Sequence, residues 1–118
     1  MLFSIGQRFC QIVHQCDEDD LAAILSYFTT ANYTHPDLYQ QIASAILVKL
    51  SQKKEPFSPS SLKQIVTCFH YRKIIHPELF EKLAPNILAK KEQFDFLSLR
   101  FILDGYFYFG CLSLLKEP

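Results

Sequence analysis

Three groups of residues in this chain are of types that can do chemistry. Cys10, His14 and Cys16 lie close together, and Cys10 and His14, four apart, would share one helix face as a zinc-ligand pair does. A fourth ligand and a second close pair are missing, so Cys10, Cys16, Cys68 and Cys111 are expected as buried thiols, with no metal or other cofactor. Their spacing also lacks the density of a secreted disulfide framework. The run Glu18, Asp19, Asp20 offers carboxylates for acid–base work, but directly after Asp17 it fits the first turn of a helix, where negative charge complements the dipole. His35 and His76 recur 41 residues apart, each before a proline, and repetition in register makes them structural punctuation rather than ligands. Glycine occurs only at positions 6, 105 and 110, which excludes a Gly-rich phosphate loop and makes tight β-hairpins hard to build. No nucleophile–base pair, metal cluster or phosphate loop has supporting spacing, so neither enzymatic activity nor a small-molecule substrate is expected.

The elements that would position such residues follow from composition and repetition. A length of 118 residues allows one domain of ordinary size, and 49% hydrophobic residues with 11 Phe and 6 Tyr predict a buried core. Lys plus Arg and Asp plus Glu both number 12, which removes any globally basic signature. The distribution is uneven. One basic against five acidic residues gives −4 over 1–37, nine against three gives +6 over 49–91, and two against four gives −2 from 92 onward. The longest uncharged part of the apolar C-terminal stretch, Gly105 to Leu115, falls short of the ~20 residues of a membrane span. The first sixteen residues carry Arg8 and no acid, a faint likeness to a mitochondrial targeting peptide. Their apolar positions Phe3, Ile5, Phe9, Ile12 and Val13 form a helical stripe, and the segment is expected to stay in the folded chain.

Internal repeats set the architecture. The stretch from Asn32 to Ala43 matches that from Lys73 to Ala84 in chemical class at an offset of 41. Lys53-Lys54-Glu55-Pro56-Phe57 matches Lys90-Lys91-Glu92-Gln93-Phe94, and Ser61 to Val66 matches Ser98 to Leu103, both at 37. The period is thus 37, with four extra residues, about one helical turn, in the first copy. Asp17, Ser58 and Asp95 fall at equivalent positions as N-caps, with Phe57 and Phe94 as hydrophobic staples. His35-Pro36 and His76-Pro77 start the second helix of each pair. The stripes Leu21/Ile24/Leu25/Phe28, Leu62/Ile65/Val66/Phe69 and Leu99/Ile102/Leu103/Tyr106 are expected in the core, with Leu38, Tyr39, Ile42, Ile46 and Leu50, and then Leu79, Phe80, Leu83, Ile87 and Leu88, on the partner helices. Pro85 is expected to kink its helix near Leu83. Helices are predicted near 2–15, 18–32, 36–52, 59–73, 77–91 and 96–110. The fold class is therefore all-α, an α-solenoid of about three stacked hairpins in a single domain 1–118: orphan helix 1–16, repeats 17–57 and 58–94, and a partial repeat 95–118.

The pattern Leu62-x-x-Ile65-Val66-x-x-Phe69, a polar turn, then His76-Pro77-Glu78-Leu79-Phe80-x-x-Leu83-Ala84-x-x-Ile87-Leu88 resembles the heptatricopeptide and octotricopeptide repeats of FAST-kinase-like and RAP-domain proteins, without a RAP domain. The resemblance spans Phe3 to Tyr108. It implies a mitochondrial matrix location and a non-enzymatic part in a large organellar ribonucleoprotein, foremost a mitoribosome subunit bridging rRNA and neighbouring proteins. A protein-only scaffold or accessory subunit, as of a respiratory complex, is the alternative. In such repeats the first helix of each pair lines the inner surface, which makes Lys63, Gln64, Thr67, His70, Tyr71, Arg72, Lys73 and Arg100 candidate RNA contacts, with loop residues Lys53, Lys54, Lys90 and Lys91 as a second basic edge. After the aromatic run Tyr106 to Phe109, the tail either folds back or docks elsewhere. Phe107, Phe109, Leu112, Leu114 and Leu115 are the candidate protein interface.

Overall fold

Four of the helices begin where a side chain satisfies one of their orphan amides. The computed structural model describes residues 2–32 and 36–116, which form α1 (Leu2–Ile12), α2 (Glu18–Thr30), α3 (Pro36–Gln52), α4 (Pro59–Arg72), α5 (Pro77–Ala89) and α6 (Phe96–Tyr108), with short 3-10 turns at Val13–Gln15, Lys91–Gln93 and Leu112–Leu115. No strand occurs among the described residues. Asp17 accepts from the Asp20 amide at 2.8 Å while the Asp20 carboxylate accepts from the Asp17 amide, a reciprocal capping box. Ser58 and Asp95 accept from Ser61 and Ser98 in the same way. His76 accepts at Nδ1 from the Leu79 amide at 3.2 Å, with Pro77 behind it at the first helical position. The equivalent His35 and the side chain of Phe3 lie outside the described residues.

The ends are marked as well. Residues with positive φ follow α2, α4 and α6 at Asn32 (63°), Lys73 (56°) and Gly110 (72°). After α4 the amide of Ile74 reaches back to the Phe69 carbonyl, and after α6 that of Cys111 reaches the Tyr106 carbonyl, so two helices close with the same left-handed cap. Lys73 adopts this conformation without being glycine, at a cost of about 1 kcal/mol.

The helices lie in two rows. In the first, α2 packs on α4 and α4 on α6. In the second, α1 packs on α3, α3 on α5, and α5 on the C-terminal turn Leu112–Leu115. Contacts of α2 with α3 and of α4 with α5 join the rows. Between them runs one continuous apolar core that includes Leu21, Leu25, Leu38, Ile42, Phe57, Leu62, Ile65, Phe69, Leu79, Leu83 and Ile102. Buried polar side chains tie the rows together. The Tyr106 hydroxyl donates to the Phe80 carbonyl at 2.7 Å, and the Thr29 and Tyr39 hydroxyls meet at 3.3 Å. Asn86, 1% exposed, donates to the Phe57 carbonyl and accepts from the Phe57 amide, so it pins the loop before α4 onto α5 as a peptide group in a ladder would. α5 continues past Pro85 to Ala89, with both Pro85 and Glu81, whose carbonyl the proline deprives of its usual amide donor, on the exposed side.

Leu103, expected in the core, is 46% exposed, and Ile5 of the α1 stripe is 52% exposed, because α6 and α1 stand at the ends of their rows with no neighbour on that side among the described residues. Gly105 instead faces α4: a Cβ there would stand 2.6 Å from Val66 Cγ1, so its missing side chain sets the approach of the two helices. Gly105→Ala should therefore lose about 1–3 kcal/mol to overpacking against stiff, buried Val66, exceeding the gain in helix propensity of about 1 kcal/mol. In a Val66→Ala background the same change should be neutral or stabilising. Urea denaturation of the four proteins gives the coupling, and equal costs in both backgrounds would refute the contact.

Glu18 is held below the ordinary carboxylate range by hydrogen bonds from Lys53 and from its own backbone amide, and Asp95 by the hydrogen bonds of Ser98. Both contributions are present above the unfolded carboxylate values and disappear as the pH falls through the folded ones. Thermal melts should show the chain losing stability between about pH 5 and pH 3, by less in Glu18→Gln than in the native sequence.

Candidate interaction surfaces

α4 is the one helix with a neighbour on each side in the first row, and its turns place Lys63, Gln64, Thr67, His70 and Tyr71 along the side turned away from the second row. Tyr71 is 66% exposed, and the Arg72 guanidinium sits 5.4 Å from its ring centre. Lys63 lies 5.1 Å from the Phe101 ring, and Lys73 lies 5.8 Å from that of Tyr108. His70 packs on Tyr108 at 4.9 Å with the rings tilted by 38° and meets Phe109 edge-on. Between α2 and α4 runs a hydroxyl-rich groove of about 350 Å3, lined by Ser26, Thr29, Thr30, Thr67, Cys68 and Tyr71.

Several charges of the basic zone, and Arg100 beyond it, have partners within the chain. Arg72 donates to the Thr29 carbonyl at 3.0 Å and to Asn32 Oδ1 at 2.7 Å, so it caps the C-terminal end of α2. Lys53 pairs with Glu18 at 2.9 Å, Lys90 with Glu55 at 3.8 Å, and Arg100 with Asp104, one turn on in α6, at 3.8 Å. Lys54 lines a separate groove between α3 and α5 with Leu47, Leu50, Ser51, Glu78, Lys82 and Pro85. Lys91 is exposed in the 3-10 turn after α5. The structure thus gathers Lys63, Gln64, Thr67, His70 and Tyr71 on one face, turns Arg72 to the fold, and leaves Lys53, Lys54, Lys90 and Lys91 on other edges.

Sites for reaction chemistry are sparse. The four cysteines are free, and burial pushes each thiol above its ordinary pKa, with Asp20 and Asp17 adding to the effect at Cys16 and Asp37 at Cys10. A thiol so shifted is a weak nucleophile. Among the described residues no three His, Cys, Asp or Glu side chains converge to hold a metal ion. Nor is any helix among them long and apolar enough to cross a membrane. Burial also pushes the Tyr106 hydroxyl far up, which suits its role as a fixed donor.

The candidate protein interface divides in two. Phe109, Leu114 and Leu115 are half-buried against the core, with the Phe109 ring 5.1 Å from that of Phe80, so the tail fills the place beside α5 where another second-row helix would lie. Phe107 and Leu112 stay 71% and 41% exposed. On the same helix as Phe107, α6 exposes Phe96 (80%), Leu97 and Leu103, of which Leu103 was expected in the core. Their signal is present in the register. Val66 and His70 are the α4 residues nearest Gly105 of α6, and Leu25 and Thr29, 41 residues earlier, are buried between α2 and α4. The residues 37 further on are Leu103 and Phe107.

No protein-family model, curated protein or solved structure matches this chain.

The division of the cations is measurable. Arg72→Met should cost about 1–3 kcal/mol, because it removes two hydrogen bonds at the end of α2. Lys73→Glu and Arg100→Glu should each change stability by about 0.5 kcal/mol or less in the same urea titration. Equal losses at all three positions would contradict a structural role particular to Arg72.

Proposed function

We propose that this chain is a non-enzymatic structural subunit of a mitochondrial ribonucleoprotein, built as a short α-solenoid that holds a neighbouring polypeptide on the open edge of its first row. The single observation that carries this reading is the register of α6. It exposes Leu103 and Phe107 at the positions whose counterparts one repeat earlier, Val66 and His70, pack α4 onto α6. A surface built to receive a helix and left uncovered fits a scaffold better than a catalyst.

Three further observations support the repeat reading, with its period of 37 and the four-residue extension of the first copy. The N-caps Asp17, Ser58 and Asp95 and the positive-φ residues Asn32, Lys73 and Gly110 both fall 41 and then 37 residues apart. The two rows join like with like, first helices on first helices and second on second. The resemblance to heptatricopeptide and octotricopeptide repeats adds the mitochondrial matrix and an RNA-containing assembly such as a mitoribosome. Exposed Tyr71 beside a hydroxyl-rich groove, with Lys63 and His70 on the same helix face, suits stacking of a base and contact with phosphate. The protein-only alternative, an accessory subunit of another organellar complex, is favoured by a different observation: Lys53, Arg72, Lys90 and Arg100 are all engaged within the chain.

Purification of the native assembly tests both. The full chain should enter a large complex, and Phe107→Asp should abolish that entry while leaving the circular dichroism spectrum unchanged. RNase treatment should release the native chain; retention after RNase would select the protein-only reading. Equal incorporation of the native sequence and Phe107→Asp would refute the α6 edge as the docking surface.

A further inference from the structure

The open edge of α6 carries one apolar stripe and one opposite-charge pair, and their spacing is self-complementary. Phe96 and Phe107 stand 80% and 71% exposed at equal distances on either side of the level between Phe101 and Ile102. Arg100 and Asp104, 67% and 54% exposed at their side chains, stand equidistant from Ile102. Leu103 fills the middle of the stripe. An antiparallel helix brought against this edge by a two-fold axis at that level meets Phe96 with a Phe107 and Phe107 with a Phe96. It also brings an Asp104 to within one residue, about 1.5 Å along the helix, of the position opposite Arg100, and an Arg100 equally near the position opposite Asp104. Resting on the reading that this edge is a docking surface, we propose that its occupant is a second copy of this chain, with α6 pairing antiparallel to α6 in an isologous dimer.

The alternatives fit the edge less well. The place of a further second-row helix beside α5 is taken by Leu112–Leu115, with Leu114 and Leu115 packed on the core, so a whole helix pair cannot be added as the earlier ones are. The occupant is then a single helix. Head-to-tail stacking would set the stripe against the free edge of α2, which opens on Asp20 and carries one exposed ring, Tyr27, against the two of Phe96 and Phe107, and would produce open-ended growth. α6 spans about 20 Å, so the contact is small and the dimer reversible in concentration.

Sedimentation equilibrium of the full chain tests this. A monomer–dimer equilibrium is expected, and Phe107→Asp should weaken it about tenfold or more with an unchanged far-ultraviolet spectrum. R100D and D104R should each be monomeric alone, because each dimer would set like charges face to face. An equimolar mixture of R100D and D104R should dimerise, since the cross-pair restores both opposite-charge contacts; no effect confined to one chain predicts this. A native chain that stays monomeric up to its highest soluble concentration, growth beyond the dimer, or a mixture that fails to pair would each overturn the proposal. Failure here is separable from failure of the docking edge itself. A monomer whose entry into the native assembly still depends on Phe107 keeps the edge and loses only the second copy as its occupant.

Discussion

A row of helices buries each member between two neighbours, and the row must end. Every other feature of this chain follows from how the two rows meet that constraint. In the interior of the first row α4 is gripped from both sides. On the α2 side, Ser61 reaches Asp19 at the N-terminal ends and Arg72 reaches Thr29 and Asn32 at the C-terminal ends. On the α6 side, the missing side chain of Gly105 lets Val66 in. The second row ends on itself, since the chain after Gly110 turns back and lays Leu114 and Leu115 against α5. Among the described residues the first row ends without a cover. Full burial of a Leu or Phe side chain is worth about 1.5–3 kcal/mol, so Phe96, Leu103 and Phe107 withhold stabilisation that a partner helix would release.

Much of this was legible in the residues, and the illegible part has a common cause. Helix starts were readable because capping needs a short oxygen-bearing side chain, and Asp17, Ser58, His76 and Asp95 all act as the spacing predicts. The all-α class follows from the stripes between those caps. Helix ends lie within two residues of the expected ones for α2 to α6, although Asn32, Lys73 and Gly110, where three of them close, share a backbone conformation and no side-chain type. Glycine and asparagine favour a left-handed residue and lysine does not. The exposure of Leu103 was the part not legible in its stripe. A stripe shows which side of a helix is apolar, but which apolar side faces a neighbour depends on whether the row continues.

The basic zone shows the same limit in electrostatic form. Nine cations over 49–91 read as one patch along the sequence, yet the two-row arrangement scatters them among a loop at α2, the end of α2, the groove between α3 and α5, and the α4 face. Arg72 illustrates the point. Its position on the first helix of a repeat makes it a candidate for phosphate, but the Thr29 carbonyl and Asn32 Oδ1 at the end of α2 accept its hydrogen bonds, and its neighbour Tyr71 is the exposed member. Spacing alone cannot separate a cation that ends a helix from one that faces solvent, because both lie off the apolar stripe.

The charges on α6 decide what the open edge will accept. A wholly apolar edge would be stabilised by any greasy surface, but Arg100 and Asp104 interrupt this one near its centre. In solvent their mutual pairing contributes little. Under an apolar partner the pair would be desolvated with no compensating contact, a penalty that can exceed the gain from one buried ring. A partner that carries the opposite charges at the mirrored positions leaves both groups satisfied and still covers Phe96, Leu103 and Phe107. The pair therefore acts as a filter: it costs little while the edge is bare, disfavours indiscriminate collapse, and admits a helix whose charge order is the reverse of its own. An antiparallel helix of identical sequence meets that condition by symmetry.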